Sequence, residues 1–270
     1  MAGKRKYTCN YRYFENIDTL ERAYWLGMLM ADGCVIHTHR LRHLKTCDSW
    51  QDRYYLQLSL KDDDIAHIQK FKRAIESNHP INVYNYSSGL ASEGRYARLI
   101  IEDKSLVDDL ISHGVCEKKT LILKYPDILP ELDSHFIRGY FDGDGCISKS
   151  QGREQTPMYE ANITSTYEFL ESIYRRLPLN SNKEFNPKQR FSERDNNNWT
   201  FRFAGNRQLL RVLNYLYQNS TDDIRLDRKY KKYKELQNLM VVLHGNTQDY
   251  ESVNRIAYGC EVPTLLTVNS

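Results

Sequence analysis

Two aspartates, Asp32 and Asp144, hold the same place in two copies of one short pattern. The first copy reads Trp25-Leu26-Gly27-Met28-Leu29-Met30-Ala31-Asp32-Gly33, and the second reads Ile137-Arg138-Gly139-Tyr140-Phe141-Asp142-Gly143-Asp144-Gly145. Each runs on into a cysteine and a branched apolar residue, Cys34-Val35 and Cys146-Ile147. A carboxylate pair drawn from two subdomains is what a metal-dependent phosphodiesterase needs, because hard oxygen donors hold a divalent cation while leaving it water. An EF-hand reading of Asp142-Gly143-Asp144-Gly145 fails, since Cys146 takes the third ligand position and Arg153 stands where the bidentate glutamate belongs.

The elements that would position these acids are helices. Glycine inside a helix costs about 1 kcal/mol relative to alanine, so Gly27 and Gly139 need a reason. Residues four apart share a helix face, which makes Ala23, Gly27 and Ala31 one smooth strip and Gly139 with Gly143 another. Two such strips facing each other would let the helix backbones approach closely and bring Asp32 beside Asp144. The Asp-Gly ending is expected to stop each helix with glycine in the left-handed conformation. An acid at a helix C-terminus opposes the macrodipole. Two of them side by side imply a cation that offsets the cost.

Composition narrows the classes. A chain of 270 residues with a net charge of +3 is too weakly basic for charge alone to argue nucleic-acid binding. Twenty tyrosines say more, since a phenol packs on one side and hydrogen-bonds on the other. No apolar run reaches membrane-spanning length, and the opening Met1-Ala2-Gly3-Lys4-Arg5-Lys6 lacks a signal-peptide core. The expectation is an intracellular protein with no membrane partner. Cys9, Cys34, Cys47, Cys116, Cys146 and Cys260 form no Cys-x-x-Cys pair, so reduced thiols are expected and a zinc site is not. The absence of any Gly-x-x-x-x-Gly-Lys sets aside P-loop phosphoryl transfer.

Along the chain, periodicity predicts helix, two strands, helix, two strands, helix, and then the same order again. In the stretch Arg53-Tyr54-Tyr55-Leu56-Gln57-Leu58-Ser59-Leu60 the leucines face one way and Arg53, Tyr55, Gln57 and Ser59 the other. The polar face so defined carries Arg53, Tyr55, Gln57, Tyr84, Tyr86, Tyr96 and Arg98 in the first half. In the second it carries Ser148, Glu160, Asn162, Thr164, Thr200 and Arg202. An antiparallel sheet commonly keeps one wet face. Arginine, glutamine, asparagine and threonine are also the residue types that read base edges.

The two patterns resemble the LAGLIDADG motif of homing endonucleases, and the element order matches that family's half-domain. The resemblance spans about residues 14–236 and is to the single-chain, pseudo-symmetric branch. It implies an α+β fold of two αββαββα half-domains, each with a curved antiparallel sheet that together form a DNA-binding saddle, helices packed behind. The expected boundaries are a first half over residues 1–120, a linker over 121–132, a second half over 133–237 and an extension over 238–270. The implied activity is site-specific, magnesium-dependent cleavage of both DNA strands across the minor groove, leaving short 3′ overhangs, with manganese or calcium able to occupy the site.

By the same resemblance the metal ligands are Asp32 and Asp144, with Asp142 secondary, and the helix interface is Gly27, Ala31, Gly139 and Gly143. A basic residue after the last helix of each half falls near the scissile phosphates: Lys119 in the first half, and Lys229 or Arg228 in the second, where extra residues intervene. Gln57 and Asn162 match positions that place water near the metals. Lys118 and the run from Lys229 to Lys234 would add phosphate contacts. The partner implied is double-stranded DNA, bound by a monomer. The alternatives are an RNA-binding intron maturase on the same fold, which would bind its host intron RNA without cutting DNA, and a catalytically silent regulator. Intein splicing residues are not evident.

Overall fold

The computed structural model describes residues 5–43, 47–88, 91–116, 121–152, 156–180, 183–189 and 197–244. Thr19 starts the first helix, α1 (Leu20–Asp32), by accepting the Arg22 amide on its side chain. Then come β1 (Gly33–His43), β2 (Asp48–Lys61), a 3-10 turn over Asp62–Asp64, α2 (Ile65–Ala74), β3 (Ile81–Ser88), β4 (Ala91–Glu102) and α3 (Lys104–Ser112). The series repeats as α4 (Asp133–Asp144), β5 (Gly145–Gln151), β6 (Pro157–Ser165), α5 (Tyr167–Arg176), β7 (Lys188–Gln189), β8 (Trp199–Ala204) and α6 (Asn206–Tyr217). A further helix, α7 (Asp227–His244), follows.

The strands form two antiparallel sheets of matching order, β1-β2-β4-β3 and β5-β6-β8-β7. The fold is therefore α+β and pseudo-symmetric. Leu56, Leu58 and Leu60 on β2, like Ala161 and Ile163 on β6, turn inward against the helices and are buried. Each such leucine contributes about 1.5–3 kcal/mol by leaving water. On the opposite faces Tyr55, Gln57, Asn162 and Thr164 are only half-buried.

The central packing is α1 against α4, and the glycines permit it. A Cβ on Gly27 would stand 2.1 Å from the Phe136 carbonyl oxygen, and one on Gly139 would stand 1.9 Å from the Tyr24 carbonyl oxygen. Neither contact leaves room for a side chain, so backbone meets backbone.

The glycines after each aspartate behave differently from expectation. Gly33 (φ −79°, ψ 159°) and Gly145 (φ −80°, ψ 157°) are extended, not left-handed, and lead straight into a strand. Crowding explains them: a Cβ would fall 2.6 Å from the Leu29 carbonyl at Gly33 and 2.2 Å from the Phe141 ring at Gly145. The α7 helix also runs through position 238, where an extension was expected to begin, and buries Leu236 and Met240 before ending with Val241, Val242 and Leu243 exposed. Among the described residues no helix is long and apolar enough to cross a membrane.

Candidate active site at the paired helix feet

Asp32 closes α1 and Asp144 closes α4. The crossing set by Gly27 and Gly139 brings these ends together: Asp32 Oδ2 lies 3.0 Å from the place a Cβ would take on Gly143, the residue before Asp144. A Cβ there would also strike the Ala31 methyl at 2.3 Å, so Ala31 and Gly143 form the lower contact of the pair. Asp32 is half-buried and Asp144 exposed. Neither helix carries a basic residue in its last turn.

The missing cation arrives from far along the chain. Lys229, 2% exposed, inserts its ammonium under the end of α4 and donates to the carbonyls of Phe141 (2.5 Å), Asp142 (2.7 Å) and Gly143 (3.3 Å). A lysine there satisfies terminal carbonyls and opposes the dipole. Burial pulls its pKa down to about 8, while Asp142, Asp32 and Asp144 pull the other way. Arg228, the other basic candidate, turns away and pairs with Asp64 at 2.9 Å. Lys119 and Lys118 lie outside the described residues, so the first half's counterpart has no position here.

Asp142 is fully buried and does not face the acid pair. Its carboxylate accepts from the Tyr24 hydroxyl (2.9 Å), the Tyr217 hydroxyl (3.0 Å) and the Leu226 amide (2.8 Å). Burial pushes this carboxyl above its ordinary value, and Lys229, the Leu226 amide and Tyr24 draw it back. Arg138, also buried, donates to the carbonyls of Ile224 (2.9 Å) and Leu216 (2.7 Å) and to His135 Nδ1 (2.8 Å). Tyr24 Oη meets His67 Nε2 at 2.9 Å, and since its own proton goes to Asp142, the imidazole is the donor there. This cluster escaped the sequence reading. One signal could have found it: Arg138 and Asp142 stand four apart, on one face of the helix and flanked by Ile137, Tyr140 and Phe141.

The sheets place the remaining candidates symmetrically. Gln57 lies opposite Cys34 and Asn162 opposite Cys146, one rung beyond each motif glycine. A cleft of about 600 Å³ opens beside Asp144, with Ala31, Tyr140, Asn162, Thr164 and Thr200 among its walls. The hydroxyls of Thr164 and Thr200 meet across the strands at 3.0 Å.

Several of the polar-face residues are already engaged with one another. Arg53 donates to Tyr55 (3.2 Å) and pairs with Glu102 (3.3 Å). Arg98 lies over the Tyr84 ring at 4.2 Å, Tyr84 hydrogen-bonds Ser59 (2.9 Å), and Tyr96 stacks on Tyr84. In the second sheet Ser148 donates to Glu160 (3.2 Å), which also pairs with Arg202. Tyr86 belongs to β3, but its side chain lies outside the described set.

Residues 131–217 match the family model of the LAGLIDADG-like domain. That stretch of the chain is similar to a LAGLIDADG-like domain. The whole fold is that of two-domain LAGLIDADG homing endonucleases. The I-LtrWI LAGLIDADG homing endonuclease bound to target DNA superposes with a TM-score of 0.54 at 13% identity, covering 94% of this chain and 99% of that one. The meganuclease I-SmaMI bound to uncleaveable DNA gives 0.56 at 10% identity, covering 90% and 99%. I-SmaMI on an uncleaved DNA target in the presence of calcium ions gives 0.51 at 10% identity, covering 88% and 97%. In sequence, a probable translation initiation factor IF-2 of Methanocaldococcus jannaschii is 29% identical over 167 residues, which is 55% of this chain and 14% of that protein.

Among the described residues no group of three or more His, Cys, Asp or Glu side chains could hold a metal. The carboxylates of Asp32 and Asp144 nonetheless suit a hard divalent cation that keeps several waters, because such ions need only one or two protein carboxylates.

Proposed function

We propose that this chain is a site-specific DNA endonuclease that cuts both strands of a duplex with magnesium, one strand per helix foot. The observation that carries the reading is the juxtaposition of Asp32 with the Gly143–Asp144 turn at a glycine-mediated helix crossing. The likeness of fold to proteins solved on DNA supports a duplex as the ligand. The likeness to the initiation factor covers only a seventh of that protein, so the factor's own activity is not carried over.

The two carboxylates would hold divalent cations, and calcium in a structural relative's crystal agrees with that donor chemistry. When bound, such an ion lowers the pKa of water and stabilises charge on the attacking and leaving oxygens. Asp32 and Asp144 would each serve the scissile phosphate of one strand by holding a cation beside it. The amides of Gln57 and Asn162, placed alike in the two sheets, would hold the attacking water in line. Lys229 sits near enough to sense both acids, and its charge would temper the negative potential that two aspartates and a phosphate build up. Lys119 would serve the first half in the same way. The polar sheet faces would contact phosphates and base edges. Cuts across the minor groove would leave short 3′ overhangs.

Selection of cleaved products from a randomised duplex library with magnesium tests the reading. The expected result is a defined long site cut on both strands. Tight binding to structured RNA with duplex DNA left whole would instead point to the maturase.

A further inference from the structure

The two sheets are not equal in reach. The β1–β2 ladder runs 11 rungs from Gly33↔Leu58 to His43↔Asp48. The β5–β6 ladder runs 7, from Gly145↔Ile163 to Gln151↔Pro157. Both start at the motif glycine, so both are measured from the same point beside the acid pair. Four further rungs at about 3.4 Å per residue carry the first hairpin ~14 Å farther out. On B-DNA, whose base pairs rise about 3.4 Å each, that is about 4 base pairs.

A two-stranded ribbon beyond the core would be marginal by itself, and this one is braced. On its back face His37 stacks on Tyr54 (4.5 Å between centroids, 9° between planes) and His39 on Trp50 (4.5 Å, 3°). Asp52 accepts from both imidazoles, at 2.9 Å and 2.8 Å. Trp50 is 63% exposed, so among the described residues no helix backs the sheet there, and the ladder of rings takes that role. In the shorter hairpin the back-face Tyr159 is buried, and its amide is held by Asn206 at the start of α6. Strand alternation puts Thr38, Arg40, Gln51 and Arg53 on the opposite side of the long hairpin, the side that carries Tyr55 and Gln57. Arginine pairs with guanine and glutamine with adenine in the major groove.

We infer that the β1–β2 hairpin is a braced arm that extends base readout on the Asp32 side of the cut about 4 base pairs beyond the Asp144 side, through Arg40 and Gln51. This rests on the DNA reading above. The test runs two selections in parallel on one randomised duplex library: cleavage with magnesium, and binding with calcium. The expected preference extends farther on one side of the centre. Arg40→Ala with Gln51→Ala should flatten only the outermost positions of that side, by roughly 5- to 150-fold per base contact, while preferences at the central positions keep their order. Asp52→Ala, which removes the brace and touches no base, should flatten the same positions. Equal reach on both sides, or outer preferences that survive all three substitutions, would overturn the inference. Lopsided binding without cutting would instead sink the nuclease reading and leave the arm standing.

Discussion

The two helix feet share a backbone and differ beneath it. Where α4 has Asp142, α1 has Met30; where α4 has Arg138, α1 has Leu26. Met30 is fully buried against the turn at Gly114, whose Cβ would lie 3.3 Å from its methyl, and that turn ends α3 with a positive φ of 91°. Asp142 instead gathers two phenols, an amide and nearby cations in a sealed pocket. One foot is set by apolar packing and the other by a polar network that reaches across to Tyr24 and His67 of the first half. A repeated motif thus fixes the position of an acid without fixing how it is supported.

The largest break should come from forcing the second foot to imitate the first. Asp142→Met takes the acceptor from the Tyr24 and Tyr217 hydroxyls and the Leu226 amide, leaves buried Arg138 and Lys229 without a nearby counter-charge, and should cost about 3–5 kcal/mol in denaturant melts. Adding Arg138→Leu and Lys229→Met should not recover the loss, since the carbonyls of Ile224, Leu216, Phe141 and Asp142 then lose their donors as well. Gly139→Ala drives a methyl into the Tyr24 carbonyl and should cost about 3 kcal/mol, with Gly27→Ala close behind because the crossing is shared. If either glycine tolerates alanine without loss, the two halves do not meet as described.

Smaller effects separate the feet by function and by pH. Lys229→Met should slow cutting of the strand served by Asp144 about tenfold, a change of about 1.4 kcal/mol. Nicked plasmid should then accumulate before linear product. The pH effect comes from the network's two imidazoles. Burial holds His67 down to about 3 and His135 down to about 4. Both are bases with folded pKa values below 6.5, so the unfolded chain takes up protons first as pH falls. Stability should therefore drop from pH 6.5 toward pH 4, by at most about 1.4 kcal/mol per pH unit for each histidine. A His135→Gln variant should show a shallower slope in melts at graded pH.

Much of this was legible in the sequence because the signals are local. The repeated motif, the alternation across Arg53–Leu60 and the small residues four apart each act over a few positions, and each led to the right element. The partners of Asp142 did not show, because Tyr24, Tyr217 and Leu226 lie 118, 75 and 84 positions away. Lys229 was visible as a basic residue in the right region, yet its insertion beneath α4 depends on where α7 packs. The glycine after each aspartate was assigned a left-handed turn from its type, whereas crowding by Leu29 and Phe141 is what requires it. Past 237, α7 runs on to His244 and buries Met240.

The central claim is that Asp32 and Asp144 each direct the cutting of one strand of a DNA duplex. Strand-resolved cleavage of the selected site by Asp32→Asn and Asp144→Asn, with magnesium and with binding measured in parallel, tests it most directly. Each variant should lose linear product by roughly 100-fold or more and still bind the site. Cutting at the parental rate by either one would contradict the account.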